Sequence, residues 1–537
     1  MTSLSTSRAD RFEALNRVHF DLLVIGGGVT GCGIARDAAL RGLSVALVEK
    51  NDFASGTSSR SSRLIHGGVR YLEHGQLHLV FESSAERRRL LRMAPHLVRP
   101  LQFTWPVYEG ARIPRWKLDA GLMLYDALAL FRNVGRHRRL NARDVLEHEP
   151  MLRPDGLLGG ARYYDAATND ARLTLANALS AAEAGAVVVN HAAVTTLRSE
   201  NGRVIGARVR DTLGARTADV TARVVVNATG PWSDELRHLD PSIASSGRPA
   251  VRGSKGAHVA VPRERVGNTY ALTLTSPRDG RVMFVLPADT HAIIGTTDTY
   301  TSSSPDSVHA SNEDVRYLID SANAFFPAAR LTTSDVVSAW AGIRPLVPSS
   351  GDTPGGASRE HAITTSADGL VSITGGKLTT YRVMAADVVH VVLRRLGLRA
   401  GRDLTKTVPL FGGDFSSIND LIASAVRATN DIPFATHLVS SFGSRWPAVL
   451  AEINTGDGRT VVADGLPYTI GELRYSLREE MATTLGDLFV RRTHLAFETR
   501  DHGIAAAERA VRALGGDAKE IEGYAGEVER IFSVSSA

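Results

Sequence analysis

The strongest constraint on this chain is the run Asp21-Leu22-Leu23-Val24-Ile25-Gly26-Gly27-Gly28-Val29-Thr30-Gly31, with Glu49 downstream. It reads as a short buried strand, a glycine turn, and a helix that opens between Gly28 and Gly31. A helix N-terminus carries unpaired N–H groups and a partial positive charge, which suits a pyrophosphate. Gly26 permits the tight turn, Gly28 lets phosphates approach the backbone, and Gly31 lets the helix lie close to the strand. A second apolar run, Leu43 to Val48, ends in Glu49, about 20 residues on, where a carboxylate accepts hydrogen bonds from a ribose. A glycine turn alone is weak. Flanked by two strand patterns and an acid, it predicts dinucleotide binding.

At 537 residues the chain has room for two or three domains and a substantial core. The single cysteine, Cys32, excludes an intrachain disulfide framework and fits a reducing compartment. Residues 1–20 are polar and charged, without the apolar centre of a signal peptide, and no apolar run is long enough to span a bilayer. The expected location is the cytoplasm or the inner face of the cell membrane. The net charge of +5 is small but uneven, concentrated at Arg87, Arg88, Arg89, Arg92 and Arg99, and again at Arg132, Arg136, Arg138 and Arg139. Between these groups, 116–131 has helical apolar spacing at Leu118, Leu122, Tyr125 and Leu128/Ala129. Two readings are open: a helix resting on anionic lipid, or a buried helix with a solvated basic face. No basic stripe with interleaved aromatics suggests nucleic acid. His74 and His78 lack a third ligand, so no metal site is expected.

Along the chain, residues 1–18 read as a loose arm and 20–50 as strand–helix–strand. Helices are expected over 79–93 and 173–184, and strands over 186–189, 204–209 and 222–227. The stretch 251–298 is β-like, with loops at 301–311 and 351–358. A final strand, 370–373, runs into Gly375-Gly376-Lys377 and a helix to about Leu396; beyond 405–414 the pattern is almost wholly helical. The strands ending near Gly26, Asn227 and Ile373 are expected to share one sheet, making the dinucleotide domain discontinuous. Glycine-bearing turns at 227–232, 295–298 and 375–382 favour a bound flavin over a nicotinamide, since a helix opening at Gly375-Gly376 can stabilise the negative charge of a reduced flavin.

The segment Thr57-Ser58-Ser59-Arg60-Ser61-Ser62-Arg63-Leu64-Ile65-His66-Gly67-Gly68-Val69-Arg70-Tyr71-Leu72-Glu73 closely resembles a signature of the FAD-dependent glycerol 3-phosphate dehydrogenases. So do 227–232 (Asn-Ala-Thr-Gly-Pro-Trp), 294–298, 342–346 and 375–382, and the stretch from Leu473 to Thr493 resembles that family's helical domain. The resemblance runs in order from about Asp21 to Thr493, departing at Asn169, where an acid is expected, and at Thr374, where an apolar or aromatic residue is common. It implies an α/β (α+β) fold: a glutathione-reductase-like FAD-binding Rossmann domain of the D-amino-acid-oxidase superfamily, an antiparallel-sheet cap and a C-terminal all-α domain. The expected boundaries are 17–80, 165–235 and 345–400 for the FAD domain, 81–164 and 236–344 for the cap, and 410–537 for the helical domain. It also implies oxidation of glycerol 3-phosphate to dihydroxyacetone phosphate, electrons passing through FAD to a membrane quinone, and a homodimer on the cytoplasmic membrane face. The family's oxygen-using relatives carry an insertion that is not obvious here.

Hydride removal from an alcohol needs a base for the hydroxyl proton and a clamp on the substrate. His66 is the candidate base, because an imidazole ordinarily titrates near neutral pH; the bland alternative is a histidine that only bonds backbone or flavin. Arg344, permanently protonated, is the candidate stabiliser of a developing alkoxide. Arg70, Tyr71 and Arg359 are candidates for the phosphate, and Lys377 for flavin, substrate or both. Asp170 and Arg172 match a family segment and can equally form a structural pair. Cofactor contacts are expected at Gly26, Gly28, Gly31, Glu49, Thr57, Ser58, Ser59, Gly230, Asp298, Gly376, Lys377, Leu378 and Thr379. An amino-acid or hydroxy-acid oxidase and a non-catalytic FAD scaffold are the competing readings.

Overall fold

The structure, a computed structural model, describes residues 7–130, 133–239, 249–348 and 360–535, with the side chains of Arg70 and His74 outside the described set. Strand His19–Ile25 lies inside a parallel sheet, between Thr217–Asn227 and Val45–Val48. Val371–Gly375 and Val187–Val189 extend the parallel array, and antiparallel His361–Thr365 adds an edge. Stretches far apart in sequence therefore share one sheet. Leu22, Leu23 and Val24 are fully buried because both faces are covered, which is why this strand reads as an unbroken apolar run. Helices Val29–Leu40, Asp170–Glu183 and Tyr381–Leu396 pack together on one face. The other face carries the hairpin Ala192–Glu200/Arg203–Asp211.

That second face corrects one expectation. Residues 8–17 form a helix, not a loose arm, capped reciprocally by Ser7 and Asp10. Phe12 and Leu15 are buried in the cluster beneath the sheet. Two apolar residues among charged neighbours are a faint pattern, yet burying side chains of this size contributes roughly 1.5–3 kcal/mol each.

The second sheet has ten strands among the described residues. Arg252–Pro262 pairs with Ser338–Leu346, His291–Gly295 and Thr299–Tyr300; Val282–Ala288 and Ala271–Thr275 follow. Ala271–Thr275 then meets Val98–Tyr108 in parallel, whereas the other pairings in this sheet are antiparallel. The strand Leu157–Thr168 beyond it bonds Leu64–Ile65, so the 57–73 motif is stitched to the cap. Helix Arg115–Leu128 covers the aromatic face of this sheet. Its expected apolar positions Leu118, Leu122 and Tyr125 are buried there, as the buried-helix reading requires. A different row, Trp116 (72% exposed), Ala120, Met123 (56%) and Leu124, faces outward.

From Ile418 to Phe532 the described elements are mainly helices, closed by Val534–Ser535 pairing with Ala310–Ser311. The latter pair lies in a stretch expected to be loop; a partner more than two hundred residues away, invisible to local pattern, makes it a strand. Among the described residues no helix is long and apolar enough to cross a membrane.

Candidate active site

A cavity of about 530 Å³ runs between the two sheets. The glycine turn forms one wall. Gly26 adopts φ +112°, and a Cβ at Gly31 would lie 1.9 Å from the Gly26 carbonyl oxygen, so only glycine lets the helix start this close to the strand. Glu49 lies on the same wall: one carboxylate oxygen accepts from Gly27 N–H at 2.6 Å and the other from Asn51 N–H at 2.9 Å. Burial is the main influence on this acid and pushes its carboxyl above the ordinary range, against those two hydrogen bonds. Val29 N–H donates to Ser58 Oγ at 3.0 Å, tying the 57–73 motif to the helix opening.

Gly26, Gly28, Glu49, Thr57, Ser58, Gly230, Asp298, Gly376, Leu378 and Thr379 all line this cavity, together with His66, Tyr71, Arg344 and Lys377. Gly31 and Ser59 do not line it, and both are buried. Arg359 falls outside the described residues, as does the side chain of Arg70.

The His66 backbone is held from two sides. Thr379 Oγ lies 3.2 Å from His66 N and 3.3 Å from His66 O, and Gly67 N–H donates to Asp165 at 3.0 Å. Asp165 also accepts from Tyr125 OH at 2.7 Å and pairs with Arg87. Arg344 spans Asp298 at 3.1 Å and Thr296 Oγ at 3.0 Å, while Asp298 also bonds Ser254. The guanidinium lies over Gly256, where a Cβ would come within 2.2 Å of it. Lys377 Nζ sits 3.8 Å from the centre of the Tyr71 ring.

Sequence reasoning missed Asp165 and His258. His258 lines the cavity, bonds Ser62 Oγ at 2.8 Å and stacks on Trp340 with ring centres 5.5 Å apart. Burial, then Arg344 and Arg63, pushes its imidazole down to about 3, so it is neutral at physiological pH. Its place on the β-like stretch was legible; its pairing with a serine nearly two hundred residues away was not. Asp170 and Arg172 do not pair with each other: Asp170 accepts from Ser61, and Arg172 binds Glu480.

The family model for FAD-dependent oxidoreductases matches residues 21–382, two thirds of the chain and every residue that lines the cavity except Met384. The chain belongs to the FAD-dependent oxidoreductases. Its helical region, residues 404–519, matches the C-terminal domain of alpha-glycerophosphate oxidase. The chain is 36% identical over 528 residues to an aerobic glycerol-3-phosphate dehydrogenase of Staphylococcus saprophyticus, covering 96% of this chain and 94% of that protein. It is 40% identical over 529 residues to glycerol-3-phosphate dehydrogenase 2 of Mycobacterium tuberculosis, covering 96% and 88% respectively. A glycerol-3-phosphate dehydrogenase from Bacillus halodurans, solved with FAD, superposes with a TM-score of 0.79 at 32% identity, covering 99% of this chain and 98% of that one. Glycine oxidase from Geobacillus kaustophilus shares the fold at 22% identity and a TM-score of 0.51, over 73% of this chain. FAD is the cofactor of this oxidoreductase, and the residues fit it. The glycine cradle leaves no room for a Cβ at Gly31, the Gly28 cap of the following helix makes no side-chain hydrogen bond, and the Glu49 carboxylate stands on the same wall, a set that suits a dinucleotide's pyrophosphate and ribose.

Proposed function

We propose that this oxidoreductase converts sn-glycerol 3-phosphate to dihydroxyacetone phosphate and delivers the electrons to a membrane quinone. The observation that carries the reading is the meeting of His66, Arg344 and Lys377 in the cavity that also exposes Glu49 and the glycine turn. The full-length similarity to enzymes named for glycerol 3-phosphate supports the substrate.

When bound, FAD supplies the hydride acceptor at flavin N5. His66 takes the proton from the C2 hydroxyl as the C2 hydride leaves, and Arg344 stabilises the negative charge growing on that oxygen. Asp298 and Thr296 fix the guanidinium, so little reorientation is needed during reaction. Lys377 and Tyr71 form one side of an anion niche, with Arg70 and Arg359 assigned to the phosphate. Gly26, Gly28, Gly31, Glu49, Thr57, Ser58, Ser59, Gly230, Asp298, Gly376, Leu378 and Thr379 form the cofactor bed. In this reading 17–80, 165–235 and 345–400 do the dinucleotide work, 81–164 and 236–344 enclose the substrate, and 410–537 form the helical unit.

The outward row Trp116, Ala120, Met123 and Leu124, rimmed by exposed Arg112, Arg115 and Lys117, supports peripheral contact with an anionic membrane. That contact belongs to the inner face of the cell membrane. The homodimer follows from family resemblance, and light scattering at several concentrations tests it. The activity is tested by anaerobic titration: glycerol 3-phosphate bleaches the bound flavin and a soluble quinone analogue restores its colour. A fully loaded flavin that stays yellow with glycerol 3-phosphate refutes the substrate; one that bleaches but is reoxidised only by oxygen refutes the acceptor.

A further inference from the structure

Between the cofactor crevice and the helical C-terminal region lies a buried set of charges that substrate oxidation does not use. Asp52, three residues after Glu49, is fully buried. It accepts from Arg491 Nε at 2.7 Å and from Arg492 at 2.5 and 3.1 Å, and Asn190 donates to it at 2.9 Å. The same Asn190 amide also donates to the Met481 carbonyl at 2.9 Å. One step along, His191 bonds Asp487 at 3.0 Å, and Asp487 accepts from Arg491 at 2.9 Å. The π-helical turn Asp487–Arg492 brings these acidic and basic side chains to one side.

These contacts converge on the acid assigned to the ribose. Glu49 accepts from the Asn51 amide, and the Asn51 carbonyl accepts from His191 N–H at 2.6 Å. The Ala192 amide donates to the Glu49 carbonyl at 2.7 Å. Both the loop 49–54 and the strand end 189–192 are thus gripped from the C-terminal side. Asp52, His191 and Asp487 lie close enough to suggest a cation site, but Arg491 and Arg492 already provide the countercharge. A purely structural junction needs no such convergence on the two backbone segments that orient one carboxylate.

We propose that segment 481–492 clamps the ribose side of the crevice, with Asp52, Asn190, Arg491 and Arg492 acting as positioning residues for FAD retention. The inference rests on FAD being the cofactor and is independent of the substrate. Loosening the clamp frees Glu49 to move, so the cost falls on the bound state more than on the apoprotein.

The test titrates apoprotein with FAD, following flavin fluorescence, and compares melting of the apo and holo forms. Asp52→Asn keeps the shape and removes the charge; FAD affinity falls at least tenfold, and the holo form loses more thermal stability than the apo form. Asn190→Ala removes its side-chain bonds to Asp52, Met481 and Arg8 without stranding a charge, since Arg8 keeps Asp211, and weakens FAD several-fold, which decides the matter if Asp52→Asn does not fold. Equal losses in apo and holo melting with unchanged FAD affinity in Asn190→Ala overturn the proposal and leave the network as domain glue.

Discussion

Arg344 can be displaced without being removed. Gly256 lies beneath it, and a Cβ there would stand 2.2 Å from one terminal nitrogen and 2.5 Å from the central carbon of the guanidinium. In Gly256→Ala the arginine must swing away, losing its bonds to Thr296 at 3.0 Å and Asp298 at 3.1 Å. The strand itself accepts alanine: replacing glycine there gains roughly 0.5–1 kcal/mol of backbone entropy. Moving one partly exposed side chain costs a similar amount, so Tm shifts by at most a few degrees. Loss of one preorganised donor lowers turnover on the order of 10²–10³-fold, about 3–4 kcal/mol of transition-state stabilisation. Anaerobic stopped-flow reduction by glycerol 3-phosphate measures this, with flavin absorbance fixing occupancy. A Gly256→Ala enzyme with full flavin and kcat/KM near that of the parent would remove Arg344 from the chemistry.

Three further outcomes follow from the geometry. His66→Gln slows flavin reduction by about 10²-fold or more while substrate affinity changes little; equal changes in both would deny it the role of base. Burial lowers the His191 pKa, but the hydrogen bond and charge of Asp487, with Asp52, outweigh it and raise the folded value above 6.5. The stability this pairing provides is therefore fully present below about pH 6.5 and is lost as pH rises through the folded pKa. Chemical denaturation across pH 6–9 shows that loss in the parent and not in His191→Gln; parallel slopes would contradict it. Trp116→Ser lowers co-sedimentation with anionic vesicles several-fold without affecting reduction by glycerol 3-phosphate, and unchanged sedimentation would move the membrane contact elsewhere.

The cofactor wall was legible because its requirements are local. Gly31 answers a steric demand from Gly26 five residues before it, and Glu49 follows at the end of the next strand, although the neighbour that forbids a side chain at Gly26 is the distant Ala228. The apolar spacing of helix Arg115–Leu128 identified its buried face, but not the second row that remains exposed once that face is covered. Asp165, His258 and Asp52 were not legible. Each owes its importance to partners brought together only by tertiary packing: Gly67 and Arg87, Ser62 and Trp340, Arg491 and Arg492. The N-terminal helix failed for a related reason, since Phe12 and Leu15 acquire meaning only from the sheet beneath them.

The interleaving of strands has a consequence for biosynthesis. The nucleotide-binding turn leaves the ribosome early, yet its sheet neighbour Thr217–Asn227, and then Val371–Gly375, emerge much later. Until they arrive, helix Val29–Leu40 has only part of its platform, and apolar surface waits uncovered. Flavin supply during translation can therefore govern yield only near its end, and truncated products will accumulate as aggregates and not as colourless folded halves.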